Sequence, residues 1–491
     1  MSPVATSKAL DPTLCQRAYR SRDSRFDGRF FIGVGTTGIY CRPVCPVKPP
    51  KPENIVFYPT AAAAAEAGLR PCLRCRPETG AGTPDWSAAS SKVNRALRLI
   101  GEGVAEEGGV AVLAEALDIS ARHLHRLFIE HLGATPVTVI RTRRLHLAKR
   151  LIDDTDLRLA DVAYAAGFGS VRRFNATFQD LYGRTPGELR RARRHGRVRA
   201  DEDPFVFRLS YRPPLDWHRM LDFFALRATP GIEEVRECSY RRSFRLGDGQ
   251  AGILTVRHAS SGDALELEIH SSEPAALLRV VDKARRLFDL SADPAPIADH
   301  LSADPTLGHA ARRMPGLRVP GAWDGFEVTI RAILGQQVSV KGATTLAGRI
   351  AERCGEALPF CCGAIGRLSP TPEQLLSTNL AKIDMPGSRA DTLKRVAEAV
   401  LDGTLVFDSA RPDVLRSRML AIAGIGEWTA QYVAMRLGEP DAFPASDLGL
   451  LKSPALAQRP TPKQLLEQAE AWRPWRAYAA VLLWHATGET P

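Results

Sequence analysis

Three sets of residues in this chain have types and spacings suited to chemistry. The first centres on a lone acid, Asp447, which follows the helix-breaking pair Phe443-Pro444. Before it, the apolar spacing ahead of Ile422, the turn Gly424-Ile425-Gly426 and an alanine- and aromatic-rich run from Glu427 predict two helices joined by a tight hairpin. Glycines there permit the backbone angles of the turn and the close approach of a phosphate. The main-chain N–H groups of Gly424, Ile425 and Gly426, with the positive end of the second helix, would hold a DNA backbone without reading its sequence. A phosphate clamp that delivers one carboxylate to a nucleotide suits chemistry on the sugar–base bond. The same turn also suits an ordinary connection between packed helices.

The second set is four cysteines. Cys41-x3-Cys45 and Cys72-x2-Cys75 form two short chelating loops, and four thiolates suit one tetrahedral zinc ion. One reading is a structural zinc knot. Another is a reagent, because four thiolates leave the site with a net charge of about −2, which keeps sulfur nucleophilic at neutral pH. Cys15, Cys238, Cys354, Cys361 and Cys362 show no ligand spacing and read as ordinary or buried thiols.

The third set lies on two predicted helix-turn-helix units between residues 86 and 195. Leu113, Leu117, Leu124, Leu127 and Phe128 fall on one face, with Ser120 as the cap of the second helix. A second copy has Ser170 as cap and Val171, Phe174, Phe178 and Leu181 as its buried stripe. The helices at 121–130 and 171–181 would present His123, Arg126, Arg172 and Arg173 to a major groove, or carry them as a solvated face.

The elements that must hold these sets follow from composition and pattern. At 491 residues the chain is long enough for about three or four domains. A net charge of +11 and a pI near 9.4, carried largely by clustered arginines, point to a polyanionic partner. Neither a signal-peptide core at the start nor an apolar run of membrane-spanning length is seen, so a cytoplasmic location without membrane attachment is expected. Phe205, Phe207, Leu209 and Tyr211 alternate, as do Leu265, Leu267 and Ile269, which predicts half-buried strands with a helix over 217–227 between them. From about Ser291 the pattern is helical. The arginine-rich run from Arg190 to Arg199, followed by Asp201-Glu202-Asp203-Pro204, reads as an extended tether.

On these residues the chain resembles several known families. Thr36-Thr37-Gly38-Ile39-Tyr40-Cys41-Arg42-Pro43-Val44-Cys45 and Arg70-Pro71-Cys72-Leu73-Arg74-Cys75 resemble the N-terminal domain of Ada proteins. The tandem units closing with Tyr182-Gly183-Arg184-Thr185-Pro186 resemble the AraC-type regulator domain. Met220-Leu221-Asp222-Phe223-Phe224-Ala225-Leu226-Arg227, the run Asp324 to Val340 and the hairpin with Asp447 resemble the AlkA-type members of the helix-hairpin-helix DNA glycosylases.

The resemblance implies a multidomain α+β chain. It comprises a small zinc-bound α/β domain (1–82), an all-α double helix-turn-helix domain (86–195), a linker (196–203), a mixed α/β subdomain (204–290) and an all-α glycosylase domain (291–491). Cys41 takes the place of the cysteine that accepts a methyl group from a DNA methylphosphotriester, and Asp447 that of the catalytic aspartate. Trp428 stands where lyase-competent members carry a Schiff-base lysine, which implies base removal without strand cleavage. Trp428, Tyr432, Trp484, Phe223, Gln336 and Gln337 are the implied base pocket, where aromatic faces attract a base made cationic by alkylation. A monovalent cation at the hairpin carbonyls is a further expectation.

Three positions depart from the family pattern: Ala423 for proline, Gln337 for a wedging leucine and Leu448 for tyrosine. They leave open a methylation-responsive transcription factor whose rear half only grips DNA. The expected partners are double-stranded and alkylated DNA and RNA polymerase, with the protein a monomer. No Pro-Cys-His-Arg motif is present, so the guanine-O6 methyl-acceptor half of Ada is not expected here.

Overall fold

The computed structural model describes residues 10–80, 91–101, 104–155, 157–193, 204–246, 249–271, 277–407 and 412–486. Of the run from Arg190 expected as an extended tether, residues up to Arg193 close the helix Pro186–Arg193 instead, while 194–203, with the linker at 196–203, and the side chains of Cys361 and Cys362 lie outside the described residues. The chain forms two compact units: Met1–Pro213 with Ser261–Asp282 and Leu290–Asp293, and Pro214–Ser260 with Lys283–Asp289 and Pro294–Pro491.

In the first unit, Phe31–Val34 and Ile39–Cys41 form two strands joined by the turn at Thr36-Thr37-Gly38. Ile55–Tyr58 pairs antiparallel on one side, and Arg70–Pro71 joins Ile39–Cys41 in parallel on the other. The register Ile39↔Arg70, Tyr40↔Pro71 continues into Cys41 and Cys72, and Cys72 N donates to Tyr40 O at 3.0 Å. Strand pairing therefore brings the two chelating loops together.

The helix-turn-helix region is built twice. Ser120 Oγ accepts from His123 N and Ser170 Oγ accepts from Arg173 N, each at 3.2 Å, opening Ala121–Leu132 and Val171–Tyr182. Both helices end on glycines in the left-handed region, Gly133 (φ 69°) and Gly183 (φ 63°), where a side chain would be strained. Leu124 and Phe128 in the first copy, and Phe174 and Phe178 in the second, are fully buried. The long helix Pro136–Asp154 lies between the copies in sequence and packs on the cysteine-bearing sheet region. Tyr40 Oη and His146 Nε2 are 2.8 Å apart, Thr60 Oγ1 donates to Leu132 O at 2.8 Å, and Arg76 pairs with Asp153 and Asp154 at 3.1 and 3.0 Å. The alternating runs Phe205–Ser210 and Ala264–His270 pair antiparallel as expected, burying Phe205, Phe207 and Leu209 opposite Ile269, Leu267 and Leu265.

In the second unit, Glu233–Arg236, Ser239–Arg245 and Ala251–His258 form an antiparallel meander preceded by the helix Trp217–Arg227. The remainder is mainly helical, including Gly325–Leu334, Gly387–Leu401, Pro412–Leu420, Glu427–Arg436 and Arg476–Ala486. One departure from the helical pattern is the short strand pair Ala357–Cys362 and Ile365–Arg367. Leu358, Ile365 and Leu368 bury against Ile253, so tertiary packing rather than local periodicity makes these residues extended.

Candidate active site and zinc-thiolate centre

The hairpin forms as the sequence predicts, between Pro412–Leu420 and Glu427–Arg436. Gly424 has φ +98°, and a Cβ there would meet Thr392 Oγ1 at 2.0 Å, so both angle and space demand glycine. Ile425 is buried and anchors the turn, leaving Gly424 and Gly426 exposed. No side chain caps the start of the second helix at Gly426. Gln336 braces the turn, its Nε2 donating to Gly424 O and Thr429 Oγ1, both at 3.1 Å, so its amide serves the hairpin. Gln337 sits exposed at φ 56°, beside Val338, which is also exposed. The carbonyls of Ile422, Ala423 and Gly424 already accept hydrogen bonds from Ile425 N, Arg395 Nη1 and Gln336 Nε2.

Asp447 caps the one-turn helix Leu448–Leu451, and four donors converge on its carboxylate. Oδ1 accepts from Gly449 N at 2.9 Å, Leu450 N at 3.1 Å and Trp484 Nε1 at 3.0 Å. Oδ2 accepts from Trp428 Nε1 alone, at 2.8 Å. A carboxylate offers about four lone-pair sites, so Oδ2 retains one open direction. The side chain of Asp447 is half-buried, and its orientation is fixed by two indoles reaching from separate helices.

Those indoles belong to an aromatic group. Trp428 stacks on Tyr432 with ring centroids 5.4 Å apart at 14°, and Tyr432 faces Trp484 at 6.4 Å and 59°. Trp428 is half-buried, whereas Tyr432, Trp484 and Phe223 are buried. Of the residues expected around the base, Asp447, Trp428, Tyr432 and Trp484 thus form one connected cluster. Phe223 joins it through Arg436, whose Cζ lies 4.8 Å from the Phe223 ring and 5.6 Å from Tyr432.

Sequence reasoning missed Arg436. Its Nη1 donates to Tyr432 Oη at 2.7 Å, while Nε and Nη2 hold Pro320 O and Gly321 O at 2.6 and 2.7 Å. The signal was available: residues 428, 432 and 436 recur every fourth position, on one helical face. Burial would raise the Tyr432 phenol, but the guanidinium groups of Arg436, Arg227 and Arg331 together bring it below its usual value. A pocket is lined by Arg227, Arg331 and Arg436 together with Trp323, Glu233 and Glu327.

In the first unit, the Sγ atoms of Cys41, Cys45, Cys72 and Cys75 all lie within 4.8 Å of one another, and all four residues are buried. A zinc–sulfur bond of about 2.3 Å places tetrahedral sulfurs roughly 3.8 Å apart, so the quartet fits that ion. Arg42 N donates to Cys75 Sγ at 3.4 Å, a contact that spreads thiolate charge onto the backbone. Exposure is 7% for Cys41, Cys72 and Cys75 and 1% for Cys45, so burial sets Cys45 apart and does not rank the other three. On the helix-turn-helix region, Arg126, Arg172 and Arg173 are exposed as expected and His123 is half-buried. Arg122 and His125 are exposed beside them and were not anticipated.

Comparison with known proteins follows the same division. Family models match residues 14–78 (metal binding domain of Ada), 113–192 (helix-turn-helix domain), 206–324 (AlkA N-terminal domain) and 330–475 (HhH-GPD superfamily base excision DNA repair protein). The probable bifunctional transcriptional activator/DNA repair enzyme AlkA of Mycobacterium tuberculosis is 41% identical over 475 residues, 96% of this chain and 95% of that protein. The chain belongs to this AlkA family of bifunctional activator and repair enzymes. Within the family's rear half, DNA-3-methyladenine glycosylase 2 of Escherichia coli is 34% identical over 298 residues, 58% of this chain and 99% of that protein. The 3-methyladenine DNA-glycosylase from Archaeoglobus fulgidus shares the fold, with a TM-score of 0.50 at 21% identity, covering 57% of this chain and 98% of that one. The AlkA-family chain thus joins a metal-binding domain of Ada, a helix-turn-helix domain and a base-excision domain in one polypeptide. Among the described residues, no helix is long and apolar enough to cross a membrane.

Proposed function

We propose that the rear half excises alkylated bases such as 3-methyladenine from DNA by hydrolysing the N-glycosidic bond, and that the front half takes a methyl group from DNA methylphosphotriesters and regulates transcription. The observation that carries the first part is the convergence of Trp428 and Trp484 on the Asp447 carboxylate, beside a hairpin with exposed Gly424 and Gly426. In this reading the hairpin N–H groups hold the backbone of a duplex whose damaged nucleotide is turned out of the stack. The bond from the sugar to the base breaks with its electron pair leaving on the base, so a cationic base departs neutral. Positive charge grows on the deoxyribose, and the open direction of Oδ2 faces it. Water adds to the anomeric carbon and gives up one proton. Trp428 leaves no amine at the hairpin for a covalent adduct, so the strand stays intact.

At the front, Cys41, Cys45, Cys72 and Cys75 would hold one zinc ion, which keeps the sulfurs as thiolates at neutral pH. Cys41 Sγ attacks the methyl carbon of the phosphotriester, the carbon–oxygen bond breaks, and the phosphodiester leaves with the electron pair. The thioether formed removes one negative charge from the site. At about 10 Å and an effective dielectric near 20 this is worth roughly 1–2 kcal/mol towards a DNA phosphate, about tenfold in affinity.

Residues 1–82, 86–195, 204–290 and 291–491, with a linker at 196–203, are the proposed domain limits; the family matches at 14–78, 113–192 and 330–475 fall inside them, whereas the AlkA N-terminal match, 206–324, runs past the limit at 290. His123, Arg126, Arg172 and Arg173 are the proposed DNA-reading residues. RNA polymerase as partner, a monomeric state and a cytoplasmic location complete the reading. A monovalent cation at the hairpin would share carbonyls 422–424 with donors that each use one lone pair. The deciding test is release of 3-methyladenine from methylated duplex by wild type and Asp447→Asn. Equal, negligible release from both would favour a transcription factor whose rear half only binds DNA.

A further inference from the structure

The hairpin carries an acid directly after its exposed glycines. Glu427 follows Gly426 and stands in the first turn of Glu427–Arg436, where a helix favours negative charge. Arg416, on the other helix of the hairpin, grips it as a fork: Nε donates to Oε1 at 2.7 Å and Nη2 to Oε2 at 2.8 Å. Gln431 Nε2 adds a donor to Oε1 at 2.9 Å. Arg416 first, and Gln431 after it, hold the Glu427 carboxyl below its usual range, so it is charged at neutral pH.

This pair is not buried. The side chains of Arg416 and Glu427 are 44% and 49% exposed, so the pair stands at the surface beside Gly426 rather than in the core between the helices. A surface pair of this kind adds little to stability, and a negative charge is out of place in a clamp for a polyanion. Two further charged groups bear on the pair and the turn. Arg395 is exposed, donates Nη1 to Ala423 O at 3.3 Å and makes no ion pair within 4 Å among the described residues. Asp413, on the same helix as Arg416, acts on that guanidinium through space only.

We propose that Glu427 is a built-in brake on the hairpin's hold on DNA: its carboxylate occupies the Arg416 fork that would otherwise close on a phosphate, and sets a negative charge beside the backbone that the turn receives. The inference rests on the glycosylase reading above, with the hairpin as its backbone clamp. A carboxylate and a phosphate present the same kind of paired oxygens to a guanidinium, so the two compete for one fork. Backbone contacts carry no sequence information, so a clamp freed of this acid would tighten on damaged and undamaged duplex alike. The brake therefore lowers the hold on every duplex and leaves the choice of nucleotide to the base pocket.

The test follows single-turnover release of 3-methyladenine from methylated duplex at rising concentrations of the full chain. Its half-saturating concentration reports the productive complex, which the helix-turn-helix region does not form by itself. Glu427→Gln keeps the shape of the side chain and removes its charge. It is expected to lower that concentration about fivefold, the worth of a unit charge about 4 Å from a phosphate in water. It is also expected to steepen the log–log dependence on salt by about 0.9 as Arg416 turns to a phosphate. Arg416→Met leaves Glu427 unanswered and is expected to raise the concentration by a similar factor, while the double variant, neutral at both positions, returns close to wild type. These effects are expected in the half-saturating concentration rather than in the rate at saturation. A pair that only brackets the two helices predicts weaker binding in both single variants, so an unchanged or weaker hold in Glu427→Gln would overturn the proposal. Wild type that releases no 3-methyladenine would remove the glycosylase reading and this inference with it, a result distinct from release at an unshifted half-saturating concentration.

Discussion

Replacing Asp447 with asparagine tests the catalytic geometry at the level of single lone pairs. In the native arrangement Oδ1 receives three donors and Oδ2 one, from Trp428 Nε1 at 2.8 Å. An asparagine amide has one acceptor and one donor end. Its oxygen is expected at the Oδ1 position, because the alternative sets an NH2 against Gly449 N, Leu450 N and Trp484 Nε1. The NH2 then faces the Trp428 indole N–H, donor against donor. Loss of that charge-assisted bond costs about 1.5–3 kcal/mol. The catalytic loss is larger, since a full negative charge about 4 Å from a developing cation is worth about 4 kcal/mol at an effective dielectric near 20. That corresponds to about a thousandfold in rate.

Single-turnover release of 3-methyladenine from methylated duplex measures it, with DNA binding followed in parallel to show that the hairpin still holds. Retention of the wild-type rate within about tenfold, with the side chain folded in place, would refute a carboxylate acting on the sugar.

Gly424→Ala is expected to weaken non-specific DNA binding about tenfold and to lower stability by about 1–3 kcal/mol, because a methyl group there meets Thr392 at 2.0 Å in a backbone held at φ +98°. Salt-dependent binding to undamaged duplex and thermal melting report the two effects. Cys41→Ser is expected to abolish methyl uptake from phosphotriester DNA while leaving base excision intact; intact-protein mass after reaction is the readout, and undiminished uptake would shift the acceptor role to another ligand. His485, on the helix that carries Trp484, is held down at about 4 by burial and by Arg219. Unfolded, it titrates near 6.5, so the unfolded chain binds more protons between those values. Its contribution is therefore present in full above pH 6.5 and is lost as the pH falls towards 4. The loss is about 2–3 kcal/mol for this half-buried group. Denaturant melts of wild type and His485→Gln across that window are expected to show a shallower pH dependence in the variant.

What the sequence determined by itself was whatever depends on short-range spacing. Cys41, Cys45, Cys72 and Cys75 read as a chelating quartet because each loop holds its two thiols by local geometry. The paired helix-turn-helix copies, with Ser120 and Ser170 opening their helices, were legible because caps and apolar periodicity act within a few residues. The hairpin glycines and Asp447 were visible for the same reason.

Tertiary structure alone decided the partners of these groups. Trp428 and Trp484 reach Asp447 from separate helices, and no spacing announces that both indoles point at one carboxylate. Gln336 was expected beside the base, and packing spends its amide on the hairpin. The strand pair at 357–367 is extended because it buries against Ile253, far away in sequence. The charge around Phe223 is the clearest case. Arg227 was placed near the base by the AlkA-type resemblance, whereas Arg331 and Arg436 are ordinary helical arginines when read along the chain. Folding sets Arg227 and Arg436 against the Phe223 ring and brings Arg331 within electrostatic reach of Tyr432, and electrostatic energy depends on distances and surroundings that a linear sequence does not contain.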